Sequence, residues 1–358
     1  MSRVPAILLA AGAAVMGVAT ATVALPADVE QYLLRVAGFT KAELGALESG
    51  TVIARVMPGA TDTEVMVVAG VKIRATREQV LSYYGQMVAY VDGQITTGFG
   101  RFNNPPSLAD VGKLSLDAGD IAQLRSCRPG DCDLRTGGTA VATISSAVNW
   151  QAPDAAAQAN ARVREAIVAY MTAYMKNGDD ALITYTDRAQ PVSLRQQWNE
   201  ILAASPYFQQ YGVSLREYLT KYPRQTLPGA RDVHYWVQED YAGLKPVLSL
   251  VHGVIYQDPA TPDRTVVVQK QLYASHYYDG SLAVAVAISA TEGTTPITYL
   301  VYANRSRGDV LKGGFGGLRR SVARNQAKSA AEQTLTTIKT VLEKTRSLSG
   351  FARNARQN

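Results

Sequence analysis

Apolar and polar positions follow three rhythms along this chain, and the changes of rhythm mark its elements. Asp28 to Leu47 carries the three-four spacing of one or two short helices, with Thr40 placed to cap Lys41-Ala-Glu-Leu44. Thr51 to Met57, closed by Pro58-Gly59, and Glu64 to Ile73 are rich in β-branched residues and read as a strand hairpin. Thr76 then caps a helix to about Ala89, with Glu78 in its first turn and Val80, Leu81, Tyr84 and Val88 on one side. Asp92-Gly93 turns the chain into a strand, Gln94 to Phe102, which Asn103-Asn-Pro-Pro106 ends.

The middle of the chain keeps a helical period. Pro153-Asp154 opens a helix to about Lys176, with Val163, Ile167, Tyr170, Met171 and Tyr174 on one face and Asn177-Gly178 as its stop. Ser193 caps a second helix to Ala204, and Ser214 to Lys221 forms a third, with Pro191, Pro206, Pro223 and Pro228 between them. From Asp232 the period drops to two. Val233–Val237, Val247–Tyr256, Thr265–Tyr277, Leu282–Ile288 and Ile297–Tyr302 read as strands of an antiparallel meander, separated most clearly by Asp258–Asp263 and Thr291–Pro296. Gly313-Gly-Phe-Gly-Gly317 leads into a long helix, Leu318 to Lys344. Its stripe of Leu318, Val322, Ala331, Leu335, Ile338 and Leu342 lies opposite Arg324, Lys328, Glu332 and Lys339. Arg346 to Asn358 is expected to be a disordered basic tail.

The order strand, helix, strands, helical stretch, meander and long amphipathic helix resembles the START-like (SRPBCC) superfamily. Val65 to Ile73 leading into Thr76-Arg-Glu-Gln-Val80, and the meander from Val247 into the helix after Gly317, carry the resemblance over about two-thirds of the mature chain. It implies an α+β fold in which a curved antiparallel sheet grips the C-terminal helix and leaves an apolar cavity between them. Residues 28–345 would form that single domain. The family's domain is usually much smaller, so residues 103–228 would be a helical insertion or added layer, and the strand Thr51–Met57 and the helices before it are also additions. Members bind lipids, sterols and other hydrophobic ligands, and a minority are cyclases or hydrolases. A fold does not choose among these.

The first residues change the setting. Arg3, the apolar run Val4–Val18 and the small-x-small triplet Ala19-Thr-Ala21 make a signal peptide over residues 1–21, with a second acceptable cut after Ala24. An uncleaved anchor is the rival, but the run is short for a spanning helix and rich in Ala and Gly. The expected location is periplasmic or secreted. An oxidising compartment favours a disulfide between the only two cysteines, Cys127 and Cys132, across the turn Pro129-Gly130. Two thiols so spaced, with no histidine nearby, make a poor zinc site. The net charge of +6 is concentrated after Arg305, where Lys and Arg heavily outnumber Asp309, Glu332 and Glu343. That asymmetry points to anionic headgroups at a membrane surface rather than to nucleic acid, or simply to a solvated helix face.

The candidate chemistry is sparse. His234, His252 and His276 would make a metal site only if they converged, and their spacing gives no sign of it, so neither a metal nor a cofactor is expected. Ser275-His-Tyr-Tyr-Asp279 is the densest reactive cluster. In a strand its Ser and His face opposite ways, which leaves His276 as a candidate general base and Asp279 as an orienting group rather than a relay. No nucleophile elbow of the Gly-x-Ser-x-Gly type exists. The glycines before the last helix lack a phosphate-loop pattern. They form either a connector or a lid whose Phe315 enters a membrane while Arg319 and Arg320 meet headgroups. Tyrosines outnumber phenylalanines 19 to 6, and Tyr256, Tyr273, Tyr277, Tyr299 and Tyr302 are the candidate lining of an amphipathic pocket. These observations make an exported carrier of a hydrophobic small molecule or lipid the expected function. The alternatives are a hydrolase or cyclase using His276, and a structural envelope protein without ligand.

Overall fold

The computed structural model describes residues 25–89, 96–240, 244–308, 311 and 316–354. The expected leader, the Asp92-Gly93 turn and Phe315 lie outside the described residues. Two helices, α1 (Ala27–Arg35) and α2 (Lys41–Glu48), precede the hairpin β1 (Ile53–Met57) and β2 (Glu64–Ile73). Thr40 and Glu43 close a reciprocal capping box on α2. Helix α3 (Arg77–Ala89) starts from a similar exchange between Thr76 and Gln79, one residue beyond the Glu78 of the sequence reading. Strand β3 (Thr96–Arg101) follows, and the meander consists of β6 (Ala230–Glu239), β7 (Val247–Tyr256), β8 (Arg264–Ala274), β9 (Gly280–Glu292) and β10 (Thr295–Arg307).

All eight of these strands join one sheet in the order β1-β2-β10-β9-β8-β7-β6-β3, antiparallel throughout. The last meander strand returns to pair with β2, with Val301 opposite Gly70. The fold is therefore α+β, built on one large antiparallel sheet and a C-terminal helix.

Between β3 and β6 the chain builds α4 (Ala118–Ser126), α5 (Gly138–Ser146), α6 (Ala155–Asn177), the two-residue strands β4 (Thr184–Tyr185) and β5 (Val192–Ser193), then α7 (Leu194–Ala203), α8 (Pro206–Gln210) and α9 (Val213–Lys221). With α1 and α2 these cover one side of the sheet, the insert side. Trp198, Phe208, Leu215 and Leu219 bury against Val254, Val268, Leu282 and Val284. Met171 and Tyr174 bury against Trp236, Leu250 and Leu272. Two glycines permit close approaches here. A Cβ at Gly178 (φ +62°) would stand 1.8 Å from the Tyr222 carbonyl, and one at Gly100 would stand 2.4 Å from the Trp236 indole nitrogen.

Helix α10 (Gly316–Asn354) lies on the opposite side along β2 and β1 and touches α3. Ala331, Leu335 and Ile338 are buried there with Val67, Ala69, Val71 and Leu300. The helix continues past Lys344 through the first part of the expected tail. Val322 is not part of the buried stripe and is 47% exposed. It stands nine residues from Ala331, half a revolution away at 100° per residue, and Ala323 and Ala327 take its place. Lys339, read as solvent-facing, donates to the Lys72 carbonyl at 3.1 Å and to Glu343 at 2.8 Å. Among the described residues no helix is long and apolar enough to cross a membrane.

Candidate functional site

The two sides of the sheet differ in the size of what they carry. On β9, Leu282, Val284, Val286 and Ile288 point to the insert side, while Ser281, Ala283, Ala285 and Ala287 point to the α10 side. Two rows of facing residues cross the α10 side through six strands. One runs Val67, Asn304, Ala283, Gln269, Gly253, Val233, and its neighbour runs Ala69, Tyr302, Ala285, Val267, Ile255, Arg231. Ala283 and Gly253 sit within the first row, and Ala69 and Ala285 within the second. Asn304, Gln269, Tyr302, Val267 and Ile255 are only half-buried. The strip thus has a low floor, and its alanines are covered: Ala283 and Ala285 are 6% and 1% exposed, with α3 packed against β9.

Tyrosines from three elements border it. Tyr84 of α3 and Tyr235 of β6 are buried, and Tyr302 of β10 is half-buried. Burial raises the pKa of all three, with Tyr302 and Tyr235 adding to it at Tyr84, and Glu239 and then Tyr302 adding to it at Tyr235. Tyr302 is pushed up to about 12 by burial and then by Glu239, against a hydrogen bond with Asn304. Tyr235 bonds in the same way with Gln269. Beside them Ser281 and Ser306 share a hydrogen bond of 2.8 Å, Ser306 donates to the Asn304 side chain at 2.7 Å, and Asn304 donates to Ser281 at 3.3 Å. The border carries hydroxyls and amides, with Glu239 acting on the phenols of Tyr235 and Tyr302 and Arg231 at the end of one row.

Of the five tyrosines expected to line a pocket, only Tyr302 reaches this strip. Tyr299 is three residues away on the same strand and so faces the other side, where its hydroxyl donates to Glu48 at 2.8 Å. Tyr256 belongs to the insert-side core. Tyr273 donates to the Arg135 carbonyl at 2.9 Å, and the Tyr277 hydroxyl accepts from the Lys245 backbone at 2.7 Å. The five do not form one lining. The signal that was missed lay in β9: the strict small-large alternation from Ser281 to Ile288 is visible in the sequence and marks the low side of the sheet.

The cluster Ser275–Asp279 lies beyond the end of β8, not within a strand, because Tyr277 turns the chain at φ 64°. His276 is buried with Nε2 at 2.8 Å from Asp120 and Nδ1 at 3.0 Å from the Asp133 carbonyl. Both ring nitrogens thus have an acceptor as partner. Asp279 takes Arg135 Nη1 at 2.6 Å, and Ser275 accepts from the Leu248 backbone at 2.9 Å. Cys127 and Cys132 stand at disulfide distance, with Cα atoms 4.8 Å apart around Gly130 (φ +83°). Their loop docks through Gly130 N–H to the Thr186 carbonyl and Cys132 N–H to the Asp187 carbonyl. These groups join the insert to the end of β8.

His234 and His252 face each other across β6 and β7 with ring centroids 4.5 Å apart. His252 meets Asp232 at 2.8 Å through Nε2 and the Tyr174 hydroxyl at 2.9 Å through Nδ1. Tyr218 donates to Asp232 at 2.6 Å, and Tyr222 lies 3.3 Å from His234 Nε2. Lys270 and Asp179 also border the pair. Burial lowers the pKa of both rings, with Asp232 opposing, and brings His234 down to about 3. The unfolded chain then binds protons that the folded chain refuses, so this contribution is complete above about pH 6.5 and declines toward pH 3. The expected slope is about 1.4 kcal/mol per unit in that window. Urea midpoints measured from pH 7 to 4 should fall less steeply in His234→Phe than in the parent, and parallel curves would refute the assignment. Among the described residues no group of three His, Cys, Asp or Glu side chains is placed to hold a metal.

Arg320 donates to the Leu311 carbonyl at 3.4 Å at the start of α10. Phe315 and the Arg319 side chain lie outside the described residues. No family model matches this chain, and no curated protein matches it.

Proposed function

We propose that this protein is an exported carrier that holds a hydrophobic or amphipathic small molecule against the α10 side of the sheet. The observation that supports it is the low strip of Ala283, Ala285 and Gly253 bordered by neutral hydrogen-bonding groups, Tyr302, Gln269 and Asn304. An apolar floor with a few neutral polar groups suits a ligand that needs orientation without charge neutralisation. The strand–helix–meander–helix order supports placing the chain with START-like proteins, and a basic C-terminal end suits delivery at an anionic surface. Both ring nitrogens of His276 are held by acceptors, Asp120 and the Asp133 carbonyl, which supports a structural part for it over the hydrolase alternative.

The test is native mass spectrometry of the mature chain after exposure to lipid extracts, for the parent and for Ala283→Trp. The parent should retain a ligand mass, and the indole, filling the strip, should abolish it while circular dichroism stays unchanged. Retention of the same mass by Ala283→Trp would place the ligand elsewhere. Repeated absence from the parent would end the carrier reading.

A further inference from the structure

Met57, Met66 and Arg305 are direct partners across β1, β2 and β10, so their side chains lie in one row on the insert side of the sheet. Met66 is the one residue of β2 that is not buried, and Met57 is half-buried like it. Beside Met66 a pocket of about 30 Å³ lies among α1, α8, β2, β9 and β10, with Tyr32, Phe208 and Leu282 in its walls. That is room for a molecule of roughly two water-sized atoms.

Arg305 is 6% exposed. Its Nη1 donates to Glu64, and its Nη2 donates to the Met66 sulfur at 2.9 Å. A thioether is a weak acceptor, so one donor of a buried guanidinium has a poor partner. The sulfur accepts on one lone pair and keeps the other. Met57 differs in its surroundings. Its methyl group lies against Gly38, and among the described residues no donor reaches its sulfur.

We infer that Met66 is a site of oxidation by hydroperoxides, and that Arg305 holds the sulfoxide it becomes. The free lone pair of the sulfur takes one oxygen of hydrogen peroxide. The S–O bond forms, the O–O bond breaks, and the other oxygen leaves with both protons as water. The sulfur is oxidised by two electrons and the peroxide is reduced by two. Arg305 Nη2–H steadies the negative charge that builds on the departing oxygen. It then donates to the sulfoxide oxygen, a stronger acceptor than the thioether it replaces. The unbranched methionine side chain turns easily enough to bring that oxygen into line. Oxidation of a packed methionine ordinarily disrupts a core by making it polar. Here the partner is in place beforehand. The site is on the opposite side of the sheet from the carrier strip and is independent of it.

The mature chain, treated with graded hydrogen peroxide and mapped by peptide mass spectrometry, should gain one oxygen at Met66 about tenfold faster than at Met57, the effect of one charge-assisted hydrogen bond. Met57 is the internal control, since it shares the row, the side and the class of exposure. Chain oxidised at Met66 alone should melt no lower than untreated chain. Arg305→Leu leaves Glu64 its bonds from Arg307 and the Ala60 backbone. It should bring the Met66 rate down to that of Met57 and make the Met66 sulfoxide lower the Tm. If Arg305→Leu does not fold, the two rates in the parent and the Tm of its Met66 sulfoxide decide the matter. Equal rates at Met66 and Met57, a lower Tm after oxidation at Met66 alone, or an unchanged Met66 rate in Arg305→Leu overturns the inference. None of these readouts involves the strip, so failure here and failure of the carrier reading are separate results.

Discussion

Asp179→Ala is expected to cost about 3–5 kcal/mol of folding stability, because it strands a buried ammonium. Lys270 is fully buried on β8, and its Nζ donates to Asp179 and to the Leu219 carbonyl at 3.3 Å. The rings of Trp198 and Tyr174 stand 5.2 and 5.9 Å from it. Burial lowers the Lys270 pKa, and Asp179 is the group that opposes this. Without the carboxylate the lysine must lose its proton or pull water inward. An unfolded lysine holds its proton to about pH 10.4, so the folded variant binds fewer protons and its stability should rise with pH. Urea midpoints at pH 7 and pH 9 check both parts. The double change Asp179→Leu with Lys270→Met should recover most of the loss, since an apolar pair replaces the ionic one without stranding a charge. A single-variant loss below about 1 kcal/mol would show that the site admits water freely.

Leu335→Ala should cost about 2–5 kcal/mol by leaving a cavity beneath α10. Leu335 is 1% exposed and Ile338 is fully buried, and both pack on the small residues of β2 and its neighbours. A helix docked by a stripe with Ala323, Ala327 and Ala331 at one end depends on its few large anchors. The loss should be visible as a lower urea midpoint, with Val322→Ala as a control that stays within about 0.5 kcal/mol because that side chain is exposed. Equal effects at the two positions would mean that α10 does not dock along this stripe.

Much of this architecture was legible in the sequence, and the misses have physical causes. The β1–β2 hairpin, the caps at Thr40, Thr76 and Ser193, all five meander strands and the final helix follow from period and turn chemistry. The turn read over Thr291–Pro296 is tighter than its residues suggest. Gly293 at φ 61° carries it, and Pro296 lies within β10 opposite Thr291. Helices α4 and α5 were missed because Ala118–Ser126 and Gly138–Ser146 each bury little along one side and have weak periodicity. Of the five candidate tyrosines, Tyr302 is the one that borders the strip. The abundance of tyrosine carries no pleat parity, and residues 299 and 302 on one strand must face apart. The histidine pair could not be read at all, since His234 and His252 meet only through the pairing of β6 with β7.

The return of β10 to β2 governs when this chain can fold. Val301 and Gly70, partners in the sheet, are roughly 230 residues apart, and such long-range closure is slow to form. A ribosome must finish nearly the whole polypeptide before β2 has any strand partner beyond its own hairpin. Fragments ending after β9 would expose two raw edges, at β2 and at β9, and such edges recruit other chains. Truncated products should therefore collect as aggregates rather than as smaller soluble domains.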